Sequence, residues 1–418
     1  MKKISLHWQI LIALALSVPL GLYFGEGGLI NLSGFFEFAG SIFLNALKMI
    51  VVPLIVSAII TGVSNIGSEK GFARLGGKTI LYYITTSLIA ILTGLVLVNL
   101  FKPGIIDGHP AKDLLALTPL SEGQLSSVSG KDKSEIFNIF LRMVPSNIFK
   151  AAVEGQMLGL ITFSILFGFF IRKLKQKYHE VQLNFWNGVY DVMLDMTNLV
   201  MKIAPIGVLG LVSKTVSETG FDALVPLLKF GLIVLFALLF HLFVSTSAIL
   251  YAMGKVKPYK YMQVMSKALL TAFSTSSSSA TLPETIEGVK SAGVSKKVSS
   301  FVLPLGATVN MDGTALYECV AAMFIAQAYG IHISFGMQFT VVITALLTSI
   351  GVAGIPSASL VAIVIILKAI GLPEEALGLI LVVDRPLDML RTMVNVWSDS
   401  CGAAIIAVTE GEKLMENG

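Results

Sequence analysis

Long apolar runs alternate with short polar links up to about residue 253, and several exceed the ~20 residues that a bilayer-spanning helix needs. Residues 10–24 form the first run, behind the start MKKISLHWQ. That run superficially resembles a signal peptide, but no small-residue cleavage site and polar mature segment follow it, so it reads as a retained helix. Further helices are expected over about 36–63, 79–101, 136–171, 181–216 and 223–253. The fourth should be interrupted at Pro145 and Gly155. Residues 102–134 are polar, with Gly, Pro and Ser, and make the longest exposed loop.

The second part of the chain breaks this pattern. Between 259 and 302 two apolar flanks, each too short to span, surround the run Ser274 to Ser279 and then Pro283. Lys260 precedes this segment, and Lys290, Lys296 and Lys297 follow it. A segment that is basic at both ends and polar at its tip predicts a re-entrant hairpin entered from the cytoplasm. Such backbone is tolerated at membrane depth only when buried in protein or lining an aqueous cavity. A Ser-rich flexible linker is the other reading, and the apolar periodicity of both flanks disfavours it. Residues 301–328 predict a helix broken around Gly306, Asn310, Asp312, Gly313 and Thr314. Unwound carbonyls and helix ends at such a break bind cations. Residues 339–370 repeat the hairpin design around the tip SIGVAGIPSAS, and GLPEE after it has no basic residue, so this hairpin should enter from outside. Two interrupted segments in corresponding positions predict an inverted repeat, with a site where the tips meet.

The last span carries the densest chemistry. Asp384, Arg385, Asp388, Arg391, Asn395 and Asp399 lie between the apolar runs 376–383 and 401–408. A charge at bilayer depth costs about 2.5–3.5 kcal/mol on insertion scales. From Asp384, the residues at +4, +7, +11 and +15 share one helical face, and only Arg385 points elsewhere. A buried structural ion-pair network is one reading; a site for a charged solute or ion is the other, and the usual one for intramembrane ionisable residues.

Composition agrees: 55% of residues are hydrophobic and 13% charged, against about 25% charged in soluble domains. No polar stretch is long enough to bury a core of its own. The net charge of +4 marks basic residues beside membrane segments, not a nucleic-acid surface. Cys319 and Cys401 fall in apolar spans and predict no disulfide framework. The N-terminus and the links after the second, fourth and sixth helices are basic, which places both termini in the cytoplasm of a multi-pass cell-membrane protein.

AFSTSSSSATLP, LPLGATVNMDGTALYE, SIGVAGIPSAS and DRPLDMLRTMVNVWSD, in this order and spacing, resemble the glutamate transporter family of dicarboxylate and amino acid:cation symporters. The match is strongest over 266–410 and reaches the N-terminus more weakly through LKMIVVPLIVSAIITGV and YYITTS. The resemblance implies an all-α polytopic membrane protein with eight transmembrane helices plus two re-entrant hairpins, assembled as a homotrimer and working as an elevator. Helices one, two, four and five (about 1–78 and 135–218) would be the scaffold. Residues 79–101 and 219–410 would be the mobile transport domain.

It further implies a secondary active symporter of aspartate or glutamate, driven by sodium and protons, with no organic cofactor. A C4-dicarboxylate or purely proton-coupled carrier of the same family is the alternative. Arg391 would grip the substrate's side-chain carboxylate beside Thr314, and Asp388 its α-amino group. Asn395, Thr392 and backbone at Ser278 would surround the α-carboxylate, with backbone at Ser276, Ile355 and Ser359 closing the site. Asp399, Asn395 and carbonyls of Gly306 and Asn310 would bind one sodium ion. Asp312, Tyr83, Thr86, Ser87 and Asn310 would bind a second. Carbonyls at Thr308, Ser349, Ile350 and Val352 would bind a third, all oxygen donors suited to a hard cation. For Tyr83, Thr86 and Ser87 the plainer reading is a hydroxyl bonded back to its own helix. Glu318, four residues after Thr314 and without a basic residue within a turn, would carry a proton, with potassium returning on the empty carrier.

The chain departs from the family's pattern in a missing Arg and at the second tip. Archaeal members place an Arg where this chain has Ser276, and animal members one where it has Met389; both are missing here. Ser357 and Ser359 stand at the second tip where Gly is common, and Glu318 follows the animal pattern rather than the archaeal Gln. Other classes fit less well. A passive channel needs no pair of hairpins sealing one site. An intramembrane hydrolase needs a nucleophile and base, and His7, His109, His179, His241 and His332 form no cluster at ligand spacing. Arg391 argues against neutral amino acids, and Asp388 against substrates such as succinate.

Overall fold

The computed structural model describes residues 6–24, 31–64, 70–115, 117, 141, 143–154, 156–219, 224–331, 334–349 and 359–415. Helices dominate them. α1 (Leu6–Phe24) and α2 (Ser33–Ser64) are followed by α3 (Lys70–Phe101). A two-residue antiparallel ladder, Ile105–Ile106 with His109–Pro110, is the small β element among the described residues. α4 (Ile148–Glu154) and α5 (Met157–Ile171) bracket the expected interruption. Pro145 precedes α4, whose first amides are capped by the side chain of Asn147, and Gly155 lies outside the described residues. α6 (Gln176–Thr219) and α7 (Leu224–Phe240) follow. A π-helical turn, His241–Ser245, joins α7 to α8 (Thr246–Gly254).

Arg74–Phe101, Gln176–Lys214 and Val225–Gly254 are, among the described residues, long and apolar enough to cross a membrane. α3 starts at Lys70, well before the expected residue 79, and its polar first turns are tied down at the far end of the chain: Arg74 and Lys78 pair with Glu410.

α9 (Pro258–Thr275) and α10 (Ser278–Ser291) pack side by side as a helical hairpin. Its tip is two residues: Ser276 in the left-handed region at φ 52° and Ser277 extended, whose hydroxyl caps Ala280. The broken helix is α11 (Lys296–Val309) and α12 (Asp312–Ala328), with Asn310 and Met311 non-helical between them. α13 (Phe335–Ser349) and α14 (Ser359–Ala369) form the second helical pair; its tip, residues 350–358, lies outside the described residues. α15 (Leu377–Thr409) is the polar helix.

α2 packs on α5 and α6, and α1 on α6. α12 lies at the centre of the rest, against α3, α13, α14 and α15, and its side chains are buried on every face. That all-round burial suits a helix enclosed by other helices, because none of its polar groups meets lipid. A separate apolar cluster, Ile55, Ile59, Leu160, Ile161, Val361 and Ile365, joins α2 and α5 to α14.

Candidate functional site

α15 brings its ionisable residues to one buried place. Arg391 donates through one terminal nitrogen to Asp384 Oδ1 at 2.9 Å and Asp388 Oδ1 at 2.8 Å. Its guanidinium carbon lies 3.8 Å from the centre of the Tyr317 ring on α12. Nε and the other terminal nitrogen are buried without a hydrogen-bond partner among the described residues. Two of its three nitrogens therefore remain available to donate to a substrate carboxylate.

Arg385 corrects the sequence expectation. It does not point away: its Nη1 donates to Asp388 Oδ2 at 2.8 Å, and both side chains are buried. Its long side chain bends back over the three-residue spacing, which the position of its Cα alone does not show.

The break between α11 and α12 is held by α15. Asn395 Oδ1 accepts from the Gly313 amide at 2.8 Å, and its Nδ2 donates to Thr314 Oγ1 at 3.2 Å. A side chain from a distant helix thus supplies an N-cap to α12, satisfying an amide that the break would orphan. Gly313 is required there, since a Cβ would meet the Arg391 carbonyl at 2.7 Å. The Thr392 hydroxyl turns back to the Asp388 carbonyl at 3.0 Å. At the tips, Ser276 Oγ and Ser359 Oγ are buried without partners among the described residues, and Ser278 is buried at the start of α10.

A second polar cluster lies deeper on the same helices. Asp312 Oδ1 accepts from Ser87 at 2.7 Å and Thr86 at 3.3 Å. Oδ2 accepts from Ser398 at 2.6 Å and lies 3.2 Å from His241 Nε2. Asn310 Nδ2 reaches Asp399 Oδ1 at 2.9 Å and Ser398 Oγ at 3.1 Å, which links the two carboxylates. Gly306 makes room: a Cβ there would collide with the Asp399 carboxylate and lie 2.6 Å from the Tyr83 hydroxyl. The Tyr83 hydroxyl itself donates to Val302 O at 2.8 Å, and Thr86 also bonds back to its own helix. Neither Asp312 nor Asp399 has a Lys or Arg partner among the described residues. Buried carboxylates without a permanent counter-charge are costly, so this oxygen-rich pair fits a small hard cation. Thr308 and Ser349 sit at the ends of α11 and α13 with hydroxyls bonded within their helices; Ile350, Val352 and Ile355 lie outside the described residues.

Glu318, fully buried on α12, accepts from Thr348 of α13 at 2.8 Å through Oε2, while Oε1 has no partner among the described residues.

His241 and Ser398 are the site residues that sequence reasoning missed. His241 reaches Asp312 from the π turn, whose displaced carbonyls are satisfied by Thr246, Ser247 and the Trp397 indole. π turns mark functional positions often enough to be a signal, but no feature of HLFVS announces one. Ser398, adjacent to Asp399, was legible only by counting three further residues from Asn395.

Residues 6–409 match the family model described as the sodium:dicarboxylate symporter family. The chain is 36% identical over its whole length to a proton/sodium-glutamate symport protein of Geobacillus stearothermophilus, covering 97% of that protein. It is 36% identical to the proton/glutamate-aspartate symporter of Escherichia coli K12, over 98% of this chain and 93% of that one. It is 34% identical to mouse excitatory amino acid transporter 3, over 96% and 85% respectively. The protein is thus a membrane-embedded transporter, not an enzyme. It belongs to the sodium:dicarboxylate symporter family.

Proposed function

We propose that this protein is a secondary active symporter of an acidic amino acid, aspartate or glutamate, coupled to sodium and protons. The observation that carries the reading is Arg391: a buried guanidinium with one nitrogen held by two acids and its other two nitrogens without a partner among the described residues. The substrate's side-chain carboxylate accepts from those nitrogens beside Thr314. Its amino group takes Asp388, and its α-carboxylate meets Asn395, Thr392 and backbone at Ser278. Backbone at Ser276, Ile355 and Ser359 closes the site from the tips. Sodium ions occupy the Asp312 and Asp399 clusters, with a third at the carbonyls of Thr308, Ser349, Ile350 and Val352. Glu318 carries the proton on its unpaired oxygen, and potassium returns on the empty carrier.

The transporter works as an elevator. α1, α2 and α4 to α6 form the trimeric scaffold, and α3 with α7 to α15 form the moving part. α9–α10 and α13–α14 act as re-entrant hairpins from opposite sides, and both termini are cytoplasmic. The names of the relatives, glutamate and aspartate symporters coupled to protons or sodium, support the substrate and the ions. Uptake of labelled aspartate, glutamate and succinate into proteoliposomes, with sodium and proton gradients set separately, tests the reading. Concentrative uptake of either amino acid is expected; its absence under every gradient overturns it.

A further inference from the structure

Asp388 is held from both sides. Arg385 Nη1 donates to its Oδ2 at 2.8 Å, and Arg391 donates to its Oδ1 at 2.8 Å. Asp384, which shares Arg391, completes a buried group of two acids and two bases whose formal charges cancel.

We infer that Arg385 sets how strictly the site demands an α-amino group on its dicarboxylate substrate, a conclusion that rests on the substrate reading above. A buried carboxylate whose only counter-charge is the substrate's ammonium rejects an analogue lacking that group. Sites built on an unpaired buried partner discriminate by about 10⁴–10⁵. Here the analogue leaves Asp388 with two charged donors. Each carboxylate oxygen accepts more than one hydrogen bond, so an ammonium still joins when present without displacing Arg385. The second contribution is long-range. With Arg385 the group is neutral; without it the group carries −1, which repels a dianionic C4-dicarboxylate more than a monoanionic aspartate. Inside a protein such a difference is weakly screened. Arg385 is a positioning residue: it acts through Asp388, and its effect is on selectivity.

The test compares competition by succinate with the affinity for labelled aspartate in proteoliposomes at fixed sodium. Both values come from the same protein, so expression level cancels. In the unaltered protein succinate competes within about 1,000-fold of aspartate, well inside the limit above. Arg385→Gln raises the ratio of the succinate constant to the aspartate constant at least fivefold, and Arg385→Lys holds it closer to the original. If the Gln variant does not transport, the same ratio is read from thermal stabilisation of the purified protein by each ligand. A ratio above 1,000 in the unaltered protein, or a change below fivefold in Arg385→Gln, overturns the inference. Failure of aspartate and glutamate themselves to be taken up or to bind overturns the substrate reading instead.

Discussion

The guanidinium of Arg391 lies 3.8 Å over the ring of Tyr317, so a residue of α12 fixes the plane in which the α15 cation faces the site. A cation over an aromatic face gains about 2 kcal/mol or more when desolvated. Arg391→Cys is expected to abolish acidic substrate uptake and to admit serine or alanine. Tyr317→Phe keeps the ring and should change affinity little, whereas Tyr317→Leu should weaken it about tenfold or more. Aspartate uptake that survives Arg391→Cys unchanged, measured in proteoliposomes, would sink the role given to Arg391.

Asp312 and Asp399 are joined through Asn310 and Ser398, and neither has a Lys or Arg partner among the described residues. Asp312→Asn and Asp399→Asn should each reduce sodium dependence sharply. Entry of one sodium ion is worth about 2.3 kcal/mol per 100 mV, and a tenfold gradient adds about 1.4 kcal/mol. Losing one coupled ion therefore lowers the attainable substrate gradient by hundreds-fold. The check is the steady-state accumulation ratio at imposed voltage. Equal uptake in sodium-free buffer under a proton gradient alone contradicts these sites.

His241 and Ser398 share Asp312 Oδ2 with each other and leave Oδ1 to α3. Ser398→Ala should raise the sodium concentration for half-maximal uptake by about tenfold, the loss of one hydrogen bond to a charged group. Maximal uptake at saturating sodium should stay near the original. A variant with an unaltered sodium curve removes Ser398 from the cation cluster.

Glu318 has one oxygen on Thr348 and one unpaired. Glu318→Gln should keep sodium-coupled substrate exchange while losing the pH dependence of net uptake and any acceleration by internal potassium. The readout is a pH-sensitive dye inside the vesicles. Proton entry that still accompanies uptake in the Gln variant rules Glu318 out as the carrier.

At the end of α15, Glu410 accepts from Lys78 at 2.7 Å and from Arg74 at 2.5 Å. The Lys78 bond first, then Arg74, holds its carboxyl below the ordinary range. A depressed folded pKa contributes stability above the unfolded value and loses it as pH falls through the folded one. The tie between α3 and α15 should thus be intact at neutral pH and released on acidification below the usual glutamate range. Arg74 is largely exposed, so the effect is small. Melting temperatures of the protein and of Glu410→Gln should differ at pH 7 and converge in acid. A gap that is constant with pH counts against this.

The residues of α15 show how far periodicity alone reaches. Asp384, Asp388, Arg391, Asn395 and Asp399 were legible as one face because a helix repeats every 3.6 residues wherever it lies. The break at Asn310 and the polar tip at Ser276 and Ser277 are legible because Gly, Pro and Ser interrupt apolar runs in any context. Arg385 was misplaced because its Cα direction says nothing about a flexible side chain that finds a buried acid three residues away. His241 was invisible because its partner Asp312 is 71 residues distant and the contact depends on an extra residue in a π turn. The sequence presents Asn395 as a ligand of substrate and ion, but its cap on the Gly313 amide appears only once α15 crosses the start of α12. Local chemistry thus determined the polar inventory, the spans and the interruptions. Tertiary packing decided the pairings, because a buried charge or orphaned amide takes whatever partner the fold brings within about 3 Å.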